Sequence, residues 1–156
     1  MILYHTSYIT IEKPDISYSR DFLDFGKGFY LTHLREQGER YGVRFTRRGK
    51  DSWLNIYDFD YCDTDWKVLR FETYDKEWLD FVSKCRGGLD CSDYDMVVGG
   101  IADDKVIRTL DRYFNGEISE DETLGLLKYE RPNIQYCIRS QEMLDSCLRH
   151  KESVRL

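Results

Sequence analysis

The sequence predicts an α+β domain: two small, mostly antiparallel sheets packed face to face, with helices on their flanks. Short strand patterns stand at both ends of the chain with helical patterns between them, so strands from the two ends must meet. Aromatic residues are abundant, with 12 Tyr, 8 Phe and 3 Trp, which suits sheets and aromatic-lined grooves. The 156 residues contain no internal repeat, low-complexity segment or linker, so residues 1–156 are expected to form one domain.

The elements follow in order. Residues 2–5 read as a short strand and residues 6–24 as a loop, in which Lys13-Pro14-Asp15 is a turn signal. Phe29 to Thr32 is a strand entered from the Gly26–Gly28 turn. Residues 34–48 are helical, and Trp53 to Phe59 alternates apolar and polar residues as a half-buried strand does. Val68 to Phe71 is another short strand. Lys76 to Lys84 is a helix closed by Gly87-Gly88. Met96 to Ile101 reads as a buried strand with a sharp turn at Gly99-Gly100, and Lys105 to Phe114 as a helix. Ser119 and Glu122 form a capping-box pattern that opens a helix through Lys128. Ile134 to Ile138 is a strand, and Gln141 to Arg149 a closing helix.

A hydrophobic fraction of 41% supports a core, and 33% charged residues suit a soluble surface. No apolar run reaches membrane-spanning length. Met1-Ile2-Leu3-Tyr4-His5 lacks a basic region and a long apolar segment, so no signal peptide is expected. Five cysteines (Cys62, Cys85, Cys91, Cys137, Cys147) are irregularly spaced without a Cys-x-x-Cys pair, and the three histidines are scattered. The expectation is no metal site, reduced thiols and a cytoplasmic protein, with Cys137 in the core.

A net charge of −6 argues against indiscriminate binding to nucleic acid or membrane. The charge is uneven: Arg35, Arg40, Arg44, Arg47, Arg48 and Lys50 stand against only Glu36 and Glu39. One reading is a solvated helix face with a Glu36–Arg40 pair. The other is an anion site for a dinucleotide pyrophosphate or an RNA target. Asp103-Asp104 also has two readings, a helix cap before Lys105 or a carboxylate pair that binds metal or activates a nucleophile.

Three blocks in a fixed order carry the functional signal: His5-Thr6-Ser7, Gly26-Lys27-Gly28-Phe29-Tyr30-Leu31-Thr32 and Gln135-Tyr136-Cys137. The glycine pair alone marks only a turn. Together the blocks resemble the NAD-dependent ADP-ribosyltransferases of the diphtheria-toxin and poly(ADP-ribose) polymerase type. Over nearly the whole chain, Asp24–Thr32, Ala102-Asp103-Asp104 and Gln135-Tyr136-Cys137 are similar to a bacterial ADP-ribosyltransferase-like family, the domain of unknown function 3990 type. The resemblance implies that class's split β-sandwich, with NAD as substrate.

By that resemblance His5 clamps a ribose of NAD, and the main chain of Thr6, where relatives carry glycine, holds the nicotinamide carboxamide. Ser7 completes the His-x-Ser pattern. Gly28 allows close approach to the ligand. Tyr30 and Tyr41, eleven residues apart, sandwich the nicotinamide ring, and Arg20 contacts pyrophosphate or adenine. Gln135 occupies the place where most relatives have a glutamate facing the oxocarbenium-like transition state. An ion pair at about 4 Å with an effective dielectric near 20 is worth about 4 kcal/mol, so its loss costs up to about a thousandfold in rate. Glu130 or Glu142 is a source for the missing charge.

The implied activity is mono-ADP-ribosylation of a macromolecule, protein or nucleic acid, by a bacterial toxin or defence effector. A toxin role would imply an antitoxin partner, and loops 8–24 and 87–94 are expected to select the target. The alternatives are an NAD glycohydrolase, with water as acceptor, and a catalytically silent module that binds nucleotide or nucleic acid in the same cleft.

Overall fold

The structure, a computed structural model, describes residues 1–89 and 93–156. Cys91 and the middle of the 87–94 loop lie outside the described residues. In chain order the elements are β1 (Ile2–Ser7), β2 (Phe29–Leu31), α1 (Arg35–Thr46), β3 (Trp53–Phe59), β4 (Val68–Arg70), α2 (Lys76–Arg86), β5 (Met96–Ile101), α3 (Asp104–Phe114), α4 (Glu120–Leu127), β6 (Asn133–Ile138), α5 (Gln141–Cys147) and β7 (Leu148–Arg155). A single 3₁₀ turn, Ile16–Tyr18, interrupts the long loop after β1. The fold is α+β, with two mostly antiparallel sheets.

One sheet has the order β1-β3-β7 and the other β2-β6-β5-β4; among the described residues only β4 and β5 run parallel. Leu3, Tyr57 and Phe59 from the first sheet meet Phe29, Leu31 and Ile138 from the second in one buried cluster. The sheets therefore pack face to face. A second cluster covers the other face of the four-stranded sheet, where Val97 and Cys137 lie under Phe25, Trp78, Val106 and Leu110. The sheets also touch at an edge. Tyr4 N–H donates to the Thr32 carbonyl (2.8 Å) and Thr32 N–H to the Tyr4 carbonyl (2.9 Å), a lone antiparallel bridge between β1 and the end of β2.

Local chemistry sets the helix starts. Asp75 accepts from Trp78 N–H at 2.9 Å, and Asp103 accepts from Lys105 and Val106 N–H at 3.0 and 2.9 Å. The Ser119/Glu122 capping box forms in both directions. Each cap satisfies amide donors that the first helical turn leaves without partners. Asp103 is thus a cap, as one of its two readings holds.

Three expectations are corrected. β1 runs on through Thr6 and Ser7, which pair with Leu54 and Trp53, instead of ending in a loop at residue 6. Gly99 and Gly100 form no turn: β5 continues through them to Ile101. A Cβ on Gly100 would lie 2.6 Å from the Tyr74 ring and 2.9 Å from Pro132, so the glycine answers to packing against its neighbours. The closing helix stops at Cys147, and Leu148–Arg155 is a strand along β3. Four of that strand's eight residues are charged, because one edge and one face of β7 meet water.

Cys85, Cys137 and Cys147 are buried and Cys62 is exposed. Among the described residues, no helix is long and apolar enough to cross a membrane.

Candidate active site

The bridge between Tyr4 and Thr32 fixes the geometry of the site. In an antiparallel ladder that pairs Tyr4 with Thr32 by both hydrogen bonds, the next such pair is Thr6 with Tyr30. That pair does not form, and β1 and β2 separate here. The His5 side chain enters the gap, and its Nδ1 lies 2.8 Å from the Tyr30 carbonyl oxygen. A carbonyl only accepts, so Nδ1 carries the proton and Nε2 presents its lone pair. Among the described residues Nε2 has no hydrogen-bond partner. The imidazole stacks on Phe29 with ring centroids 4.3 Å apart. Burial pulls the His5 pKa below the ordinary histidine value, and the bond to the Tyr30 carbonyl offsets part of that. The ring is therefore neutral at pH 7.

Thr6 is positioned by the same split. Tyr4 turns its N–H and C=O toward β2, and the two-residue period of a strand turns those of Thr6 the same way. The Thr6 side chain stands out of the sheet plane and donates to the Gly38 carbonyl of α1 at 2.7 Å. Its β-branched bulk thus packs under the helix while its peptide groups face the opening. Ser7, also buried, accepts weakly from Ile9 N–H at 3.5 Å.

Tyr30 sends its side chain to the face of β2 opposite Phe29. Its hydroxyl donates to the Gly26 carbonyl (2.6 Å) and accepts from Phe25 N–H (3.1 Å). Its ring lies nearly parallel to Phe25, with centroids 6.4 Å apart. Burial raises the phenol's pKa, and neighbouring Cys137 raises it further, so the hydroxyl stays protonated. Cys137 is itself pushed up to about 12 by burial, with the Tyr30 bond opposing. Tyr30 pairs directly with Cys137. Gln135, two residues away on β6, shares that face and sits diagonally from Tyr30, at the usual Cα spacing of about 7–8 Å. The Gln135 side chain is partly exposed, and its amide has no hydrogen-bond partner among the described residues.

The structure thus joins His5 to the Tyr30 main chain at one split between strands, with Thr6 beside it on β1; the imidazole stacks on Phe29, whereas the Tyr30 ring and Gln135 take the opposite face of the second sheet. The imidazole engages the Tyr30 main chain, not its phenol. The remaining residues stand farther out. Tyr41 is exposed on α1, where its ring meets Phe45 (5.9 Å) and the Arg44 guanidinium (4.9 Å). Arg20 is exposed beside the glycine turn, next to Ser19, whose hydroxyl accepts Gly28 N–H at 3.0 Å. Gly28 faces β6: a Cβ there would overlap Cys137 Sγ and come within 2.9 Å of the Ile138 carbonyl. Glu142 lies in the first turn of α5, past the far end of β6 from Gln135. Glu130 lies near Tyr74, whose hydroxyl, pushed up to about 12 mainly by burial, accepts Asn133 N–H at 3.3 Å.

Two sets of contacts that shape this region are not predicted by the sequence motifs. Asp24 accepts from Arg86 Nη1 (2.7 Å) and from Ala102 N–H (2.8 Å). It fastens the glycine loop to α2 and to the end of β5, joining the Asp24–Thr32 block to Ala102-Asp103-Asp104. Thr32 Oγ1 donates to Gln37 Oε1 at 2.6 Å, and Gln37 Nε2 donates to Asn133 Oδ1. That relay ties α1 to the start of β6 beside Gln135. Thr32 closes the glycine block, and Asn133 lies two residues before Gln135 on the same face. That spacing was the available signal.

Open hollows of about 600 and 330 Å³ lie around Asp65 and Trp66, the larger of them polar. Neither includes His5, Tyr30 or Gln135.

No curated protein and no solved structure matches the chain. Residues 1–150 match the family described as Protein of unknown function (DUF3990). With nearly its whole length covered, the chain belongs to the DUF3990 family.

Proposed function

We propose that this protein is an NAD-dependent mono-ADP-ribosyltransferase on an ADP-ribosyltransferase-like split β-sandwich, acting on a macromolecule as a bacterial toxin or defence effector. The observation that carries this reading is the wedge of His5 at the split between β1 and β2, which leaves the Thr6 peptide groups facing the opening and Nε2 of a neutral imidazole with an open lone pair. A carboxamide needs one acceptor and one donor side by side, which a strand edge supplies. A ribose hydroxyl needs an acceptor, which Nε2 supplies. Tyr30 offers an aromatic wall, and Gln135 an amide for the ribose on the same face.

In the reaction the bond between nicotinamide and ribose breaks, and its electron pair leaves with the pyridine nitrogen. The acceptor's lone pair then bonds the ribose carbon, and the acceptor's proton passes to water. The residues present grip and orient; they add little charge. Gln135 is neutral, which favours a second reading in which the cleft binds a nucleotide and turns it over slowly, with water as acceptor, or not at all.

Incubation with NAD labelled in the adenylate half, with and without bacterial lysate, tests the proposal. Nicotinamide release together with label in protein or nucleic acid is the expected result. Release without labelling points to the glycohydrolase. Saturable NAD binding with no release, lysate included, rejects the transferase.

A further inference from the structure

The cationic stretch after the first turns of α1 is not accounted for by the cleft. Residues 40–50 include Arg40, Arg44, Arg47, Arg48 and Lys50 and no acid, in a chain of net charge −6. Arg35 pairs with Glu39 at 2.8 Å and Arg40 with Glu36 at 3.9 Å. The next acid along the chain, Asp51, is held by Arg155. Arg44, Arg47, Arg48 and Lys50 are exposed and have no acidic partner among the described residues.

Aromatic rings lie among these cations. Tyr8, just past β1, packs on Phe45 of α1 at 6.1 Å, and Phe45 on Tyr41 at 5.9 Å. Lys50 Nζ stands 4.7 Å over the Tyr8 ring and the Arg44 guanidinium 4.9 Å over Tyr41. Tyr8 and Tyr41 nevertheless remain 49% and 40% exposed. Tyr41 and Phe45 stand one helical turn apart, as do Gln37 and Tyr41, so the aromatic row continues from the relay beside Gln135. A solvated helix face needs no row of half-exposed rings, and a packing cluster needs no unpaired cations.

We infer that Tyr8, Tyr41 and Phe45, with Arg44, Arg47, Arg48 and Lys50, form a docking surface for a single-stranded polynucleotide. Cations that lack acidic partners neutralise phosphates, and exposed rings stack unpaired bases. An acidic peptide has phosphate-like charge but no π-faces for the rings. A duplex hides its base faces and meets only the cations. The surface does not depend on NAD chemistry; where the proposed transferase holds, the bound strand is its acceptor.

The test is fluorescence anisotropy, without NAD, using labelled oligouridylate of about 12 nucleotides, the matching deoxy-oligonucleotide and a duplex. The expected result is saturable single-strand binding, stronger than duplex binding. Its log affinity should fall with log salt at a slope of about −3, from about −0.7 per neutralised phosphate for four cations. The RNA and DNA arms identify which strand is preferred. Arg47→Ala with Lys50→Ala should flatten the slope by about 1.4. Tyr8→Ala should weaken binding about tenfold at every salt concentration with the slope unchanged. Circular dichroism of the variants checks that they fold. The inference is overturned by absence of saturable binding at low salt, or by wild-type affinity in Tyr8→Ala together with equal competition from polyglutamate. Because nicotinamide release is measured separately, either result can fail while the other stands.

Discussion

His5 Nδ1 holds the carbonyl oxygen of Tyr30 at 2.8 Å, across the point where β1 and β2 part. The bond makes one side chain responsible both for closing a strand end and for presenting an acceptor to the opening. Replacement therefore has a structural cost and, in the proposed transferase, a functional one. His5→Ala leaves a partly buried carbonyl without its donor and should lower stability by about 1–3 kcal/mol. His5→Gln, which retains a donor, should recover part of that while failing to restore nicotinamide release. Denaturant titration and a nicotinamide assay separate the two effects.

The lowered pKa of His5 also predicts a pH dependence. The folded protein holds this ring neutral below the pH at which the unfolded chain's histidine, near pH 6.5, takes up a proton. Between the two pKa values the unfolded state binds more protons, so stability rises with pH there. The contribution is complete above about pH 6.5 and is lost as pH falls toward the folded value. Protonation leaves the Nδ1 bond to Tyr30 in place, so the loss comes from charging a half-buried, partly desolvated ring. Thermal midpoints measured below and above that pH should converge for wild type and His5→Gln at acid pH and diverge above it, after correction for the constant offset between them.

Asp24 should prove structural. Its two oxygens serve Arg86 and Ala102 N–H, and it is only 12% exposed. Asp24→Ala removes both partners of the glycine loop and should cost about 2 kcal/mol, less than a fully buried pair because Arg86 keeps some solvent. Asp24→Asn retains one carbonyl acceptor and should lose about half as much. Urea unfolding of the two variants checks the order; equal losses would mean the Ala102 bond contributes nothing.

Gly28 makes a sharper test of packing against ligand approach. Gly28→Ala drives a methyl into Cys137 Sγ and the Ile138 carbonyl and should cost about 1–3 kcal/mol. Cys137→Ala opens one of those two contacts. The double variant should therefore be more stable than the sum of the single losses predicts, with a coupling of about 0.5 kcal/mol or more. Strict additivity would show that the glycine is required for another reason.

Local signals were read best where chemistry is local. The Ser119 capping box and the α2 stop at Gly87 appear where the sequence places them, and Trp53–Phe59 is a strand, but its burial does not alternate: Leu54 to Tyr57 are all buried, because β3 is the central strand of its sheet. The face-to-face sheets follow from strands at both chain ends. β7 was hidden because His150-Lys151-Glu152-Ser153 carries edge-strand chemistry, polar on the face and edge that meet water. The Gly99-Gly100 pair misled because a glycine that makes room for Tyr74 looks like one that turns the chain. His5, Tyr30 and Gln135 stand in sequence motifs, but the bond between an imidazole and a main-chain carbonyl leaves no mark in residue type. Asp24 reads as a loop carboxylate until folding brings Arg86 and Ala102 to it.

In the proposed transferase, Gln135 sets how much charge the cleft offers the reacting ribose. It shares a face with Tyr30 and Cys137, is partly exposed, and its amide is uncommitted among the described residues. Gln135→Glu is nearly isosteric and adds a carboxylate that partial exposure keeps ionised at neutral pH. If positive charge grows on a ribose held by His5 and Thr6, that carboxylate stabilises the transition state more than the bound substrate. The gain is bounded by about 4 kcal/mol at about 4 Å, or about a thousandfold, and solvent at the cleft should reduce it to about ten- to a hundredfold. It should appear in kcat with little change in KM, because the added interaction forms as the bond breaks. Gln135→Ala, which removes the amide, should instead weaken NAD binding and slow release. A Gln135→Glu protein that binds NAD as wild type does, yet releases nicotinamide no faster, would place the reacting ribose away from β6.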